Sequence, residues 1–188
     1  EKEIVKVIVQ SVDKDKENKS LHDRIKDITT DSDLTKTFQV MLEQLELPDG
    51  KNKRYYQNRY CNVFEVLKQF IETEEMKSFL CLNMALPKEK DSLFDMNIFS
   101  NFVKQYCIAH EKESPEIYVL KTEDFEAEKN TVLEQLAARK KVFVFSSYKT
   151  VGAGQNLQYN IPDGEKTIQI FLQTAKIGRK SGDGPKNA

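Results

Sequence analysis

From residue 76 onward the chain alternates short apolar runs with amphipathic stretches, and this alternation restricts its fold more than any other feature. Ser78 to Leu86 is an apolar run closed by Pro87, of a length that suits a buried strand. Asp95 then stands as a cap ahead of Ile98, Phe99, Phe102, Val103 and Tyr106 at helical spacing. Glu116 to Leu120 is a second strand-length run. Thr122 offers a cap for another helix, whose face carries Phe125, Val132, Leu133, Leu136 and Ala137. Acids at its start (Glu123, Asp124, Glu126) and bases at its end (Arg139, Lys140, Lys141) suit the helix dipole. Val142 to Phe145 is a third strand. Strands at 78–86, 116–120 and 142–146, with helices at 95–109 and 123–139 as crossovers, predict an α/β fold around a parallel sheet.

The preceding stretch reads as helical. Leu34, Phe38, Met41, Leu42 and Leu45 recur at helical spacing after Ser32 or Asp33, either of which serves as a cap. Pro48-Asp49-Gly50 supplies a turn, and Tyr56, Tyr60, Val63, Phe64, Leu67 and Ile71 fall on one face of the next helix. Residues 4–12 fit a strand or a buried helix equally, and Asp13 to Lys19 is a charge run that reads as a solvated loop. The expected division is therefore a helical segment or insertion over residues 1–75 and the parallel-sheet domain over 76–188.

At 188 residues the chain is long enough to bury a core without disulfides or metal. Few glycines and prolines argue against linkers and broad disorder. A net charge of −1 neither indicates nor excludes a nucleic-acid partner, because a basic strip can sit on a neutral protein. Cys61, Cys81 and Cys107 are odd in number and widely spaced, which argues against a disulfide framework; Cys81 and Cys107 read as small core residues. His22 and His110 lack a neighbour at ligand spacing and read as solvent-facing or capping residues, so no metal site is expected. No stretch has the length of a membrane span and no signal peptide is visible, which predicts an intracellular, cytoplasmic or nucleoid-associated protein. The chain opens at Glu1 and closes on a Gly- and Lys-bearing run from Gly178, and it reads as a piece of a longer protein.

Ligands of open parallel sheets bind beyond the carboxyl ends of the strands. The segment after the third strand lies there: Ser146-Ser147-Tyr148-Lys149-Thr150-Val151-Gly152-Ala153-Gly154-Gln155-Asn156-Leu157. Hydroxyls and a lysine beside glycines suit a phosphate or ribose, although many such loops are simply tight turns.

The order of residues from Ser147 to Leu157 resembles motif V of the superfamily-two helicases and translocases, most closely its Swi/Snf-type version. The run at 78–86 resembles the motif IV strand, and 117–141 the strand and helix between the two motifs, so the likeness covers roughly residues 76–172. It implies the second RecA-like domain of a nucleic-acid motor. By that likeness Ser147, Tyr148 and Lys149 would touch the sugar–phosphate backbone, and Gly154 and Asn156 would lie near the nucleotide. Tyr148 stands where the family usually has threonine. Gln173 to Arg179 resembles motif VI, which would make Arg179 a catalytic arginine finger; Gly182 occupies the place of the second arginine, and a solvated basic tail with Lys176, Lys180 and Lys186 is the competing reading.

The phosphate loop and the Asp-Glu pair of such motors are missing. The resemblance therefore implies that ATP and magnesium bind only together with the first RecA-like domain, the expected protein partner beside DNA or RNA. Two other classes stay open. One is a non-enzymatic α/β nucleotide- or protein-binding module. The other is a small transferase, which lacks an acidic residue placed to bind a ribose after the first strand.

Overall fold

The computed structural model describes residues 18–152, apart from Met84 and Ser92, with Val151 and Gly152 as backbone. Residues 4–12 and most of the Asp13–Lys19 charge run lie outside them. Among the described residues the first elements are the helices α1 (Leu21–Ile28), α2 (Ser32–Glu43) and α3 (Lys53–Glu72). Strands and helices then alternate as β1 (Ser78–Leu82), α4 (Met96–Ala109), β2 (Glu116–Leu120), α5 (Phe125–Ala137), β3 (Val142–Ser146) and the short α6 (Tyr148–Gly152). The fold is α/β, a parallel sheet preceded by and interleaved with helices.

The helix starts follow local chemistry. The Ser20 hydroxyl accepts from Asp23 N–H and donates to the Asp23 carboxylate at 2.6 Å, so α1 opens on a serine cap. α2 is capped by Asp31, whose carboxylate accepts from the amides of Asp33 and Leu34 at 2.8 and 2.9 Å. Ser32 and Asp33, the expected caps, are instead inside the first turn. Asn52 caps α3 by accepting from Tyr55 N–H, and Asp95 caps α4 as expected. The turn at Pro48–Gly50 closes with a bond from Lys51 N–H to Pro48 carbonyl at 3.2 Å, and Gly50 takes φ +75°, which its lack of a Cβ permits.

Strand order in the sheet is β1-β3-β2, all parallel. The connection through α4 passes over the place of β3 to reach β2, and the connection through α5 comes back one strand. Right-handed crossovers running in opposite directions put their helices on opposite faces. The side chains agree. Phe143 and Phe145 point into a large cluster with α1–α4, while Val142 and Val144 pack with Leu120, Phe125 and Val132 against α5. β3 is therefore buried on both faces, which explains its unbroken apolar sequence.

Aromatic rings dominate the larger cluster. Phe64 stacks on Phe102 with centroids 4.1 Å apart, Phe79 stacks on Phe143 at 5.1 Å, and Phe99 lies 5.2 Å from Phe145. The helical segment and the sheet thus share one hydrophobic cluster. α3 spans the height of the sheet. Near its start, the Tyr60 hydroxyl accepts from Asp95 N–H beyond the end of β1. At its far end, the buried Lys141 ammonium, just ahead of β3, donates to Ile71 and Thr73 carbonyls at 3.0 and 2.7 Å.

The run expected as a strand to Leu86 ends at Leu82. Asn83 N–H makes the last bond to β3, at Ser146 carbonyl, and Arg59 then holds Ala85 carbonyl at 3.0 Å away from the ladder. No helix among the described residues is long and apolar enough to cross a membrane.

Candidate functional site

The three strands end side by side, and Ser146 ties them together. It is fully buried, its hydroxyl donates to Leu120 carbonyl at 3.2 Å, and its carbonyl accepts from Asn83 N–H at 2.9 Å. The chain leaving β3 thus starts from a fixed point at the centre of the carboxyl edge.

Ser147 begins the turn into α6. Its hydroxyl accepts from Thr150 N–H at 3.1 Å, a capping contact, and lies 2.9 Å from the Thr150 hydroxyl. Thr150 is buried and reaches across to Thr122 Oγ1, 3.0 Å away, after β2. Thr122 therefore fastens the segment after β2 to α6 rather than capping α5. The cap position of α5 is Asp124, which makes no side-chain capping bond; Glu128 in the first turn accepts from Lys121 N–H at 3.1 Å. Arg139 takes φ +60° just past the end of α5, and Lys141 turns inward to α3, so the Lys141 charge goes to packing rather than to the helix dipole.

Holding Ser147 and Thr150 inward leaves Tyr148 and Lys149 outward. Tyr148 is 46% exposed and Lys149 is exposed beside it. The structure thus groups the three residues marked in sequence for backbone contact in one turn, but in two roles. Ser147 shapes the turn, and Tyr148 and Lys149 present a ring and a cation. An outward ammonium beside a phenol has the chemistry to meet an anion or an aromatic face. Gly154, Asn156 and Arg179 lie outside the described residues.

Other chemistry is absent among the described residues. No group of three or more His, Cys, Asp or Glu could hold a metal. His22 lies exposed with Nδ1 2.9 Å from Gln39 Oε1, and His110 ends α4 with its ring 4.3 Å from that of Tyr106. Cys61 and Cys107 are buried, Cys81 is half-buried, and all three are free. Burial pushes the Cys61 thiol up to about 12, which makes it a poor nucleophile. A cleft of about 230 Å³ opens at the opposite, amino edge of the sheet, between Lys77, Lys112, Lys141, Glu74 and Glu113. Two of its three lysines are engaged in structure, Lys112 with Glu74 at 2.9 Å and Lys141 with the end of α3.

A second basic surface was not singled out in the sequence, where Tyr56 and Tyr60 counted only as part of an apolar face. Lys51, Lys53, Arg54 and Arg59 surround Tyr55 and Tyr56 at the start of α3. Tyr55 is 60% exposed and meets Tyr56 edge-on at 5.1 Å. Four bases and no acid over nine residues, interleaved with aromatics, was the legible signal.

Comparison of the chain with protein-family models, with curated proteins and with solved structures finds no match.

Proposed function

We propose that this chain is the second, C-terminal motor domain of an ATP-dependent nucleic-acid helicase or translocase. The observation that carries the reading is the turn after the central strand. Ser147 and Thr150 are tied inward there, and Tyr148 and Lys149 face outward at the carboxyl edge of a parallel sheet. That edge is where open α/β sheets take their ligands. The order of residues from Ser147 to Leu157 adds the likeness to motif V. In this reading Lys149 neutralises a backbone phosphate and Tyr148 packs on sugar or base. Gly154 and Asn156 approach the nucleotide, and Arg179 is the candidate for its γ-phosphate. ATP and magnesium bind between this domain and a first RecA-like domain, so the chain alone does not hydrolyse ATP.

A binding module without motor activity is the second reading. It is favoured by the closed Ser147–Thr150–Thr122 hydroxyl chain, which leaves fewer donors for a phosphate.

The test is salt-titrated binding of a labelled oligonucleotide to the wild-type chain and to Lys149→Ala. The variant is expected to weaken binding for every sequence and to flatten the salt dependence by about one ion. An unchanged slope and affinity in a folded Lys149→Ala variant removes the motor reading. Robust ATP turnover by the chain alone, lost on substitution within 147–156, also overturns it.

A further inference from the structure

We propose that the exposed start of α3, with Lys51, Lys53, Tyr55 and Arg59, is a second nucleic-acid contact that takes an unpaired strand. It deepens the function proposed above and rests on that reading for the kind of ligand.

The two surfaces lie on one edge of the molecule, linked by short contacts. Asn83, after β1, bonds Ser146 at the end of β3. Two residues on, Ala85 carbonyl accepts from the Arg59 guanidinium at 3.0 Å. That guanidinium also lies 3.9 Å over the Phe94 ring, which holds the side chain along the surface. One turn earlier on α3, about 6 Å along its axis, stands Tyr55. Before it come Lys51 and Lys53, both exposed, with the Lys53 ammonium steadied on Glu43 carbonyl. The ridge therefore runs from the turn after β3, across the segment after β1, to the first turns of α3.

The chemistry selects the partner. Bases without acids over Lys51–Arg59 suit a polyanion. An acidic protein surface would satisfy the charges, but it gives no reason for an outward aromatic ring at each end of the ridge. Tyr55 is 60% exposed and Tyr148 46% exposed, which costs apolar hydration that stacking on a base removes. Bases within a duplex hide their faces, whereas unpaired bases offer them. Stacking of this kind tolerates any sequence, and cationic side chains beside the rings track the phosphates.

The experiment uses the whole chain and fluorescein-labelled oligothymidylate of fifteen nucleotides, with a duplex of the same length in parallel. Tyr55→Ala is expected to weaken single-strand binding about ten-fold and to leave duplex binding within two-fold. Tyr55→Phe, which keeps the ring, should bind like wild type. Lys51→Ala should lower the single-strand salt slope by about 0.7. Circular dichroism checks folding, which such exposed positions should not disturb. If Tyr55→Ala and Lys51→Ala bind as wild type while Lys149→Ala weakens, the ridge is refuted and the motor reading stands. If the ridge variants weaken and Lys149→Ala does not, the ridge stands and the motor reading falls. Equal losses on duplex and single strand, or displacement of the oligonucleotide by polyglutamate at equal charge, overturn stacking on an unpaired strand. Absence of any binding by the wild-type chain overturns both.

Discussion

Among the described residues, Arg24 should be the most costly charge to leave alone. Its side chain is buried between α1 and α3, 3.1 Å from the Glu65 carboxylate and 2.6 Å from Asn62 Oδ1. Its Nη1 and Glu65 Oε1 are close but not aligned as a hydrogen bond, so the contact is chiefly ionic. At 3.1 Å and an effective dielectric of about 20, Coulomb's law gives about 5 kcal/mol of attraction, much of it offsetting the removal of both charges from water. Glu65→Gln keeps the shape and deletes the attraction, so the guanidinium stays buried against a neutral amide. The expected loss is about 3–5 kcal/mol. With a urea slope of about 2 kcal/mol per molar, the midpoint falls by about 2 M. The double variant Arg24→Met with Glu65→Leu removes both charges and should recover most of that loss, since apolar replacements of a buried pair are often neutral. Urea denaturation followed by circular dichroism on wild type, Arg24→Met, Glu65→Leu and the double completes the cycle, with Glu65→Gln measured beside them. A loss below about 1 kcal/mol for Glu65→Gln, the size typical of an exposed pair, would refute the argument. So would a double variant less stable than either single one.

Two other outcomes follow from buried groups. Burial pushes the Cys61 thiol and the Tyr60 phenol both up to a pKa of about 12, from ordinary values of 9.0 and 10.0. The folded state therefore keeps protons that the unfolded chain releases, and stability should fall as pH rises from about 9 toward 12, by about 1.4 kcal/mol per pH unit for each group in its window. Lys141 acts in the opposite sense, because burial and then Lys77 hold its amine below the usual lysine range, so its neutralisation on approach to 10.5 relieves a penalty. Urea midpoints from pH 7 to 11 check the balance, and Cys61→Ala should make the fall shallower without moving its onset, because burial also pushes the Cys81 and Cys107 thiols up; a flat profile across that range refutes it. Lys141→Met removes two charge-assisted bonds to the end of α3 and should cost about 2–3 kcal/mol. Hydrogen exchange should show earlier opening at Phe70–Thr73 than elsewhere in α3, and uniform exchange along the helix would argue against the anchoring role.

Periodicity carried most of the secondary structure because it is a local property. An apolar run as short as Val142–Phe145 has no helical reading that buries it, and Asp95 ahead of an amphipathic stretch caps it by bonding the next turn. The position of the turn after β3 was legible for the same reason, as a polar, glycine-bearing segment directly after a buried strand, whereas roles for Ser147, Tyr148 and Lys149 were implied only by the likeness to motif V. Gly154, Asn156 and Arg179 were named from sequence and lie outside the described residues. Strand order is not local. Nothing in β1, β2 or β3 taken singly says that the last strand enters between the first two; that follows from which faces α4 and α5 can cover together. The inward turn of Arg24 was equally hidden, since a lone arginine in an amphipathic helix reads as solvated until Glu65 arrives from another helix. Thr122 met its partner, Thr150, only once β2 and β3 were neighbours. The basic start of α3 was written plainly in the chain, but its nearness to the turn after β3 depends on Arg59 reaching Ala85 across the sheet edge. Local pattern determines which segments are rigid and what each can bury, and tertiary packing determines which polar groups meet, because their partners come from residues far apart in the chain.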